Sequence, residues 1–113
     1  MQEEWRAIVG FEGWYEVSSS GRIRRVRAGK STFAGRLLKP TKRKDRRLSV
    51  SLCKGGLETH KEVARLVARA FLGSCPPGKE TNHKDGHASN NRAANLEYMT
   101  RRENMQHAYR LGL

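Results

Sequence analysis

The chain has 113 residues, of which 36% are hydrophobic and 30% charged, and its 23 Lys+Arg against 11 Asp+Glu give a net charge of +12. That length suits one compact domain with a modest core. The basic residues run through the whole chain rather than gathering in a tail, which implies an anionic partner, most commonly nucleic acid. No apolar stretch is long enough to span a membrane and no amphipathic helix carries bulky aromatics, which argues against an anionic bilayer as that partner.

The acidic start Met1-Gln2-Glu3-Glu4-Trp5 lacks the apolar core of a signal peptide, so a cytoplasmic setting is expected. Trp5–Val9 reads as a strand leading into a turn at Gly10-Phe11-Glu12-Gly13. Trp14–Val17 is rich in β-formers, Ser18–Gly21 makes a second turn, and Arg22–Val26 alternates like a strand. Ile23 would face one side of it and Arg22 and Arg24 the other. This basic ribbon, with Arg22, Arg24, Arg25 and Arg27, can track phosphates or simply present a solvated face.

Residues 27–47 are basic and weakly patterned, as in a loop or ribbon edge. Leu48–Leu52 alternates as a half-buried strand and Gly55-Gly56 turns the chain. Thr59 and Glu62 have capping-box spacing, which predicts a helix from Thr59 with His60 in its first turn. Its apolar stripe would be Val63, Leu66, Val67, Ala70 and Phe71, and Gly73 and Pro76-Pro77 would stop it. Arg65 and Arg69 fall on its polar side. Cys53 and Cys75 form no CxxC pair, which excludes structural zinc of the usual spacing and leaves two reduced thiols.

The last third reads strand, loop, strand, helix: Thr81–His83, the turn-forming run Lys84–Arg92, Leu96–Met99, then a helix capped by Thr100 and Glu103 and running to about Arg110. Phosphodiester hydrolysis needs an activated water, charge neutralisation and help for the departing oxygen; a neutral histidine and a divalent metal can supply these. Asn82-His83 offers half of such a site. Adjacent strand residues point to opposite faces, so both can serve one site only at a twisted or bulged strand end.

The segments Thr81-Asn82-His83-Lys84-Asp85-Gly86, Asn90-Asn91-Arg92, Asn95-Leu96-Glu97 and Glu103-Asn104-Met105-Gln106-His107-Ala108 resemble the His-Asn-His (HNH) endonucleases of phage and intron origin. In that family the segment forms a ββα-metal fold. Ala64–Phe71 resembles the helix before it. Trp5, Ile8, Gly10–Gly13, Tyr15–Ser18 and Gly21–Ile23 resemble a nuclease-associated module found ahead of such domains. The resemblance covers residues 4 to 26 and 64 to 108.

It implies that His83 is the general base, that Asn82 and Asn104 are metal ligands, and that Asn95 ties the loop down and orients the histidine. His107 would share a helix face with Asn104, and could assist the leaving group, contact phosphate or pack on the loop. His87 and His60 carry no motif. Asp85, before Gly86, reads as a turn residue rather than a ligand. Two neutral amides should bind a hard ion weakly until DNA phosphate completes the shell. Ala64 stands where many relatives carry His.

The expected architecture is α+β: a β-rich N-terminal portion, residues 1–58, joined to a ββα-metal HNH unit, residues 59–113, as one continuous body. The resemblance implies metal-dependent cleavage of double-stranded DNA, with Mg²⁺ expected and Mn²⁺ an alternative. Arg22, Arg24, Arg25, Arg27, Arg65, Arg69, Arg92 and Arg101 are the expected DNA contacts. A homodimer or a phage protein partner, in a bacterial host cytoplasm, is compatible with it. Three rivals stay open: a catalytically silent DNA-binding module, an accessory protein of phage DNA packaging or recombination, and an RNA-binding ribbon.

Overall fold

The computed structural model describes residues 3–29 and 32–113. Met1 and Gln2 of the acidic start, and residues 30–31 of the basic segment, lie outside the described residues. β1 (Trp5–Ala7), β2 (Tyr15–Ser18) and β3 (Ile23–Arg25) form an antiparallel sheet in that order, with Val17 opposite Ile23. Alternation puts Tyr15, Val17 and Ile23 into the core, where Ile8 joins them.

A second sheet holds β4 (Thr41–Lys42), β5 (Leu48–Lys54) and β6 (Leu57–Glu62). Val50 and Leu52 of β5 are its buried residues. Tyr15 joins the two sheets: its hydroxyl accepts the Cys53 amide at 2.9 Å and Arg25 Nη1 at 3.1 Å. The weakly patterned basic segment folds back along β3, with Arg25 N donating to Arg36 O at 2.9 Å and Leu38 N to Ile23 O at 2.8 Å.

α1 (Val63–Phe71) lays Val63, Ala64, Leu66, Val67 and Ala68 into the same core. It starts four residues later than expected from the Thr59 capping box. Thr59 instead lies opposite Leu52 in the β5–β6 ladder, and His60 opposite Ser51. The Glu62 carboxylate makes no cap; it takes Arg43 at 2.7 Å and Arg47 at 3.1 Å. Ladder hydrogen bonds and two ion pairs thus outweigh one local cap. The expected divide after residue 58 falls inside β6.

β7 (Lys79–His83) and β8 (Leu96–Thr100) form a two-stranded antiparallel sheet, and α2 (Arg101–Arg110) follows directly. Here the expected capping box forms: Glu103 N donates to Thr100 Oγ1 at 3.1 Å and Thr100 N to Glu103 Oε1 at 3.0 Å. Leu96 anchors this unit in the one core cluster that both sheets and α1 share. The architecture is the α+β arrangement expected.

Candidate active site

β7 packs against both α1 and α2, and its consecutive residues Thr81, Asn82 and His83 are all buried. The register places Asn82 opposite Glu97 and His83 opposite Leu96. Immediately afterwards the chain turns, with Gly86 N donating to His83 O at 2.9 Å and Lys84 N to Asn95 O at 2.8 Å. At this strand end Asn82 and His83 line one cleft of about 210 Å³ together with Asn104 and His107. The two adjacent residues therefore do line one cleft.

His83 Nε2 lies 2.8 Å from Asn91 Oδ1. An amide oxygen only accepts, so Nε2 carries a proton, and in the neutral imidazole Nδ1 is the nitrogen that holds the lone pair. Asn91 is itself buried, 4% exposed. The direct contact to the histidine thus comes from Asn91. Asn95 organises the loop: its Oδ1 accepts the Asp85 amide at 3.2 Å, and its Nδ2 donates at 2.9 Å to both Asp85 Oδ1 and Asn90 O.

Asp85 is the hub of that loop. Its carboxylate accepts Asn90 Nδ2 and the His87 amide, each at 2.8 Å, as well as Asn95. These donors, Asn90 first, hold the carboxyl at about 2, below its usual 3.8. Such an arrangement matches a turn residue. His107 Nε2 lies 2.8 Å from the Lys84 carbonyl and so must donate to it, fastening α2 to the loop. His87 is exposed, and His60 pairs on β6 with Ser51 Oγ at 3.0 Å.

Two carboxylates that sequence reasoning passed over stand behind the amides. Asn82 Nδ2 donates to Glu97 Oε2 at 3.0 Å, and Asn104 Nδ2 donates to Glu80 Oε1 at 2.7 Å. Each carboxylate takes the NH₂ group and leaves the amide oxygen for the cleft. For Glu97 the signal was the cross-strand register, which pairs it with Asn82; Glu80 reaches Asn104 across 24 positions of sequence and gave none. Asp45 and Arg47 also line the cleft, brought from the β4–β5 connection.

Two amide oxygens are a donor set that a hard divalent cation accepts. Among the described residues no group of three or more His, Cys, Asp or Glu could hold a metal. The residues fit such an ion as a partial shell that an oxygen from elsewhere must complete.

The arginines of the N-terminal sheet are engaged within the protein. Arg22 pairs with Glu3 and holds that carboxyl well below its usual range. Arg24 lies 2.7 Å from Glu16 and 3.9 Å over the Trp5 ring; Arg27 lies 3.8 Å over Trp14 and donates to Gly13 O. Arg25 spans the Tyr15 hydroxyl and Arg27 O. Arg92 and Arg101 are exposed beside the ββα unit. Arg65 and Arg69 line a larger cleft of about 650 Å³ with Arg43, His60 and Lys61, which shares no lining residue with the His83 cleft. No helix among the described residues is long and apolar enough to cross a membrane. Cys53 and Cys75 are free and exposed.

Residues 3–53 match the family model of the NUMOD4 motif, and residues 61–106 match that of the HNH endonucleases. The chain is 36% identical to DNA endonuclease I-HmuI of Bacillus phage SP01, over 91% of this chain and 56% of that relative. An uncharacterized HNH endonuclease of Acanthamoeba polyphaga mimivirus is 37% identical over 100% of this chain and 32% of its own length. The solved structure of DNA binding and cleavage by the HNH homing endonuclease I-HmuI superimposes with a TM-score of 0.85 at 34% identity, covering 96% of this chain and 59% of that one. The chain thus spans a little over half of I-HmuI and about a third of the mimivirus protein. The chain therefore carries, in order, a NUMOD4 motif over residues 3–53 and an HNH endonuclease domain over residues 61–106.

Proposed function

We propose that this protein is a metal-dependent endonuclease that hydrolyses phosphodiester bonds of double-stranded DNA. The observation that carries the reading is His83, with Nε2 occupied by Asn91 and Nδ1 left as the basic nitrogen, in one cleft with the amides of Asn82 and Asn104. His83 Nδ1 takes the proton of the attacking water. Asn91 holds the ring in the tautomer that makes this possible, and Glu97 and Glu80 hold the two amides with their oxygens inward. A divalent cation, Mg²⁺ for preference, would be held by Asn82 and Asn104 and would neutralise the phosphorane and the departing 3′ oxygen. Arg47, on the wall of the same cleft, would meet a phosphate by giving up its pair with Glu62. Exposed Arg65, Arg69, Arg92 and Arg101 supply further phosphate contacts, with the Arg22–Arg27 ribbon behind them. Residues 1–58 and 59–113 act as a DNA-holding part and a cutting part, in the cytoplasm of a bacterial host.

The test is nicking or linearisation of supercoiled plasmid at low salt with Mg²⁺, Mn²⁺ or EDTA, because phosphate contacts weaken steeply as salt rises. Wild type should cut with metal and not in EDTA, and His83→Ala should fall to background. Tight DNA binding without cutting by wild type under either metal would make the chain a binding module with a silent site.

A further inference from the structure

The turn between β2 and β3 has no part in the chemistry just described, yet it lies against the residue that orients His83. Gly21 has φ +91, and a Cβ placed on it would stand 3.0 Å from Asn91 O, 3.1 Å from Asn91 Cβ and 3.2 Å from Asn91 C. Backbone atoms cannot swing aside as a side-chain tip can. Two residues further on, Ala93 N donates to Ser19 O at 2.8 Å. The turn itself is stiff. Ser18 Oγ, on a fully buried residue, accepts the Arg22 amide at 3.0 Å and the Ser20 amide at 3.3 Å, and Gly21 N donates to Ser18 O at 3.0 Å.

We propose that the Ser18–Gly21 turn of the N-terminal sheet is a positioning device for His83, acting through Asn91. Gly21 lets the turn press directly on the Asn91 backbone, and Ser19 O fastens the residue beyond it. Asn91 is thereby gripped between two attachments while its Oδ1 holds His83 Nε2 at 2.8 Å. The N-terminal module then contributes to the cutting site itself, in addition to any DNA it holds. This inference rests on the reading of His83 as the base.

The decisive variant is Gly21→Ala, compared with Gly35→Ala. Gly35 has nearly the same backbone, φ +88, but nothing lies within 4 Å of its Cβ position. Both substitutions carry the strain of a left-handed alanine; only the first pushes Asn91. Single-turnover plasmid cleavage with Mg²⁺ at saturating protein should be about tenfold slower or worse in Gly21→Ala and unchanged in Gly35→Ala. DNA affinity measured in EDTA should match wild type in both. Nitrogen-15 spectra of the His83 ring, taken without metal or DNA, should show the Nε2–H tautomer in wild type and Gly35→Ala and a mixture in Gly21→Ala.

If Gly21→Ala unfolds, Ala93→Pro replaces it. Arg92 has φ −65 and ψ 138, a conformation that accepts a following proline, so this change removes the Ala93 donor with little backbone cost. It should shift the tautomer in the same direction. An unaltered tautomer in the folded variant, or a slowing no greater than in Gly35→Ala, overturns the proposal. Failure of wild type to cleave at all would instead sink the nuclease reading, and the ring spectra would still decide whether the turn positions His83.

Discussion

In the N-terminal sheet, Tyr15, Val17 and Ile23 present apolar side chains to the core, and the arginines lie against neighbouring acids, aromatics and carbonyls. The unit made by β7, β8 and α2 is built differently. Leu96 is its only fully buried apolar residue, and what it buries besides is Thr81, Asn82, His83 and Asn91. α2 has no buried residue at all; it is held by its capping box, by His107 on the Lys84 carbonyl and by Asn104 on Glu80. One region is stabilised chiefly by area removed from water. The other is stabilised by directional hydrogen bonds, each worth about 0.5–1.5 kcal/mol net but specific in geometry. That division suits the proposed site, in which an imidazole and two amides would face one point.

The largest expected effect lies in the shared core. Leu52→Ala should cost about 2–5 kcal/mol in urea or thermal unfolding, since Leu52 is fully buried and a cavity remains when it is truncated. Met105→Ala on α2, where the side chain is 66% exposed, should change stability by no more than about 0.5 kcal/mol. A comparable loss from both would mean that α2 is packed more tightly than its exposure indicates, and the contrast between the regions would fail.

The same contrast explains what could be read from sequence. Strands with period-two alternation, the α1 stripe and the Thr100 cap are local patterns tied to apolar burial or to a three-residue spacing, and all are found in place. The Thr59 cap misled because it too is local, while the residues were claimed by a ladder with β5 and by Arg43 and Arg47, which sit far away in sequence. Asn82, His83, Asn104 and His107 were singled out through the resemblance to HNH endonucleases, and they do line one cleft. What stayed hidden was every partner fixed by register or tertiary packing: Glu97 behind Asn82, Glu80 behind Asn104, Asn91 on His83 and Gly21 on Asn91.

A middle-sized effect separates engaged arginines from exposed ones. Arg24 is held between Glu16 and the Trp5 ring, so it must give up both to meet a phosphate. Arg65 is exposed on the wall of the large basic cleft. Arg65→Ala should therefore weaken DNA binding and flatten the dependence of log affinity on log salt by roughly one unit, while Arg24→Ala moves the slope less. Filter binding across a salt series in EDTA measures both. Equal slopes would show that the N-terminal ribbon meets DNA as directly as α1 does.

The smallest effect is also the most local. With its carboxyl held at about 2 instead of 3.8, Asp85 contributes to the loop fully above pH 3.8, and the contribution is lost as pH falls through about 2. The sign follows from the donors, Asn90, the His87 amide and Asn95, which favour the ionised form. Amide exchange at His87, whose N–H donates to Asp85 Oδ1, should therefore quicken between pH 4 and about 2 relative to the intrinsic rate. The Leu52 amide, in the β5–β6 ladder, should stay protected across the same window. Asp85→Asn should abolish the pH step and leave the loop looser throughout. If Leu52 loosened in step with His87, the carboxylate would be acting on the whole fold, and the hydrogen-bonded site could no longer be treated as a layer distinct from the apolar body beneath it.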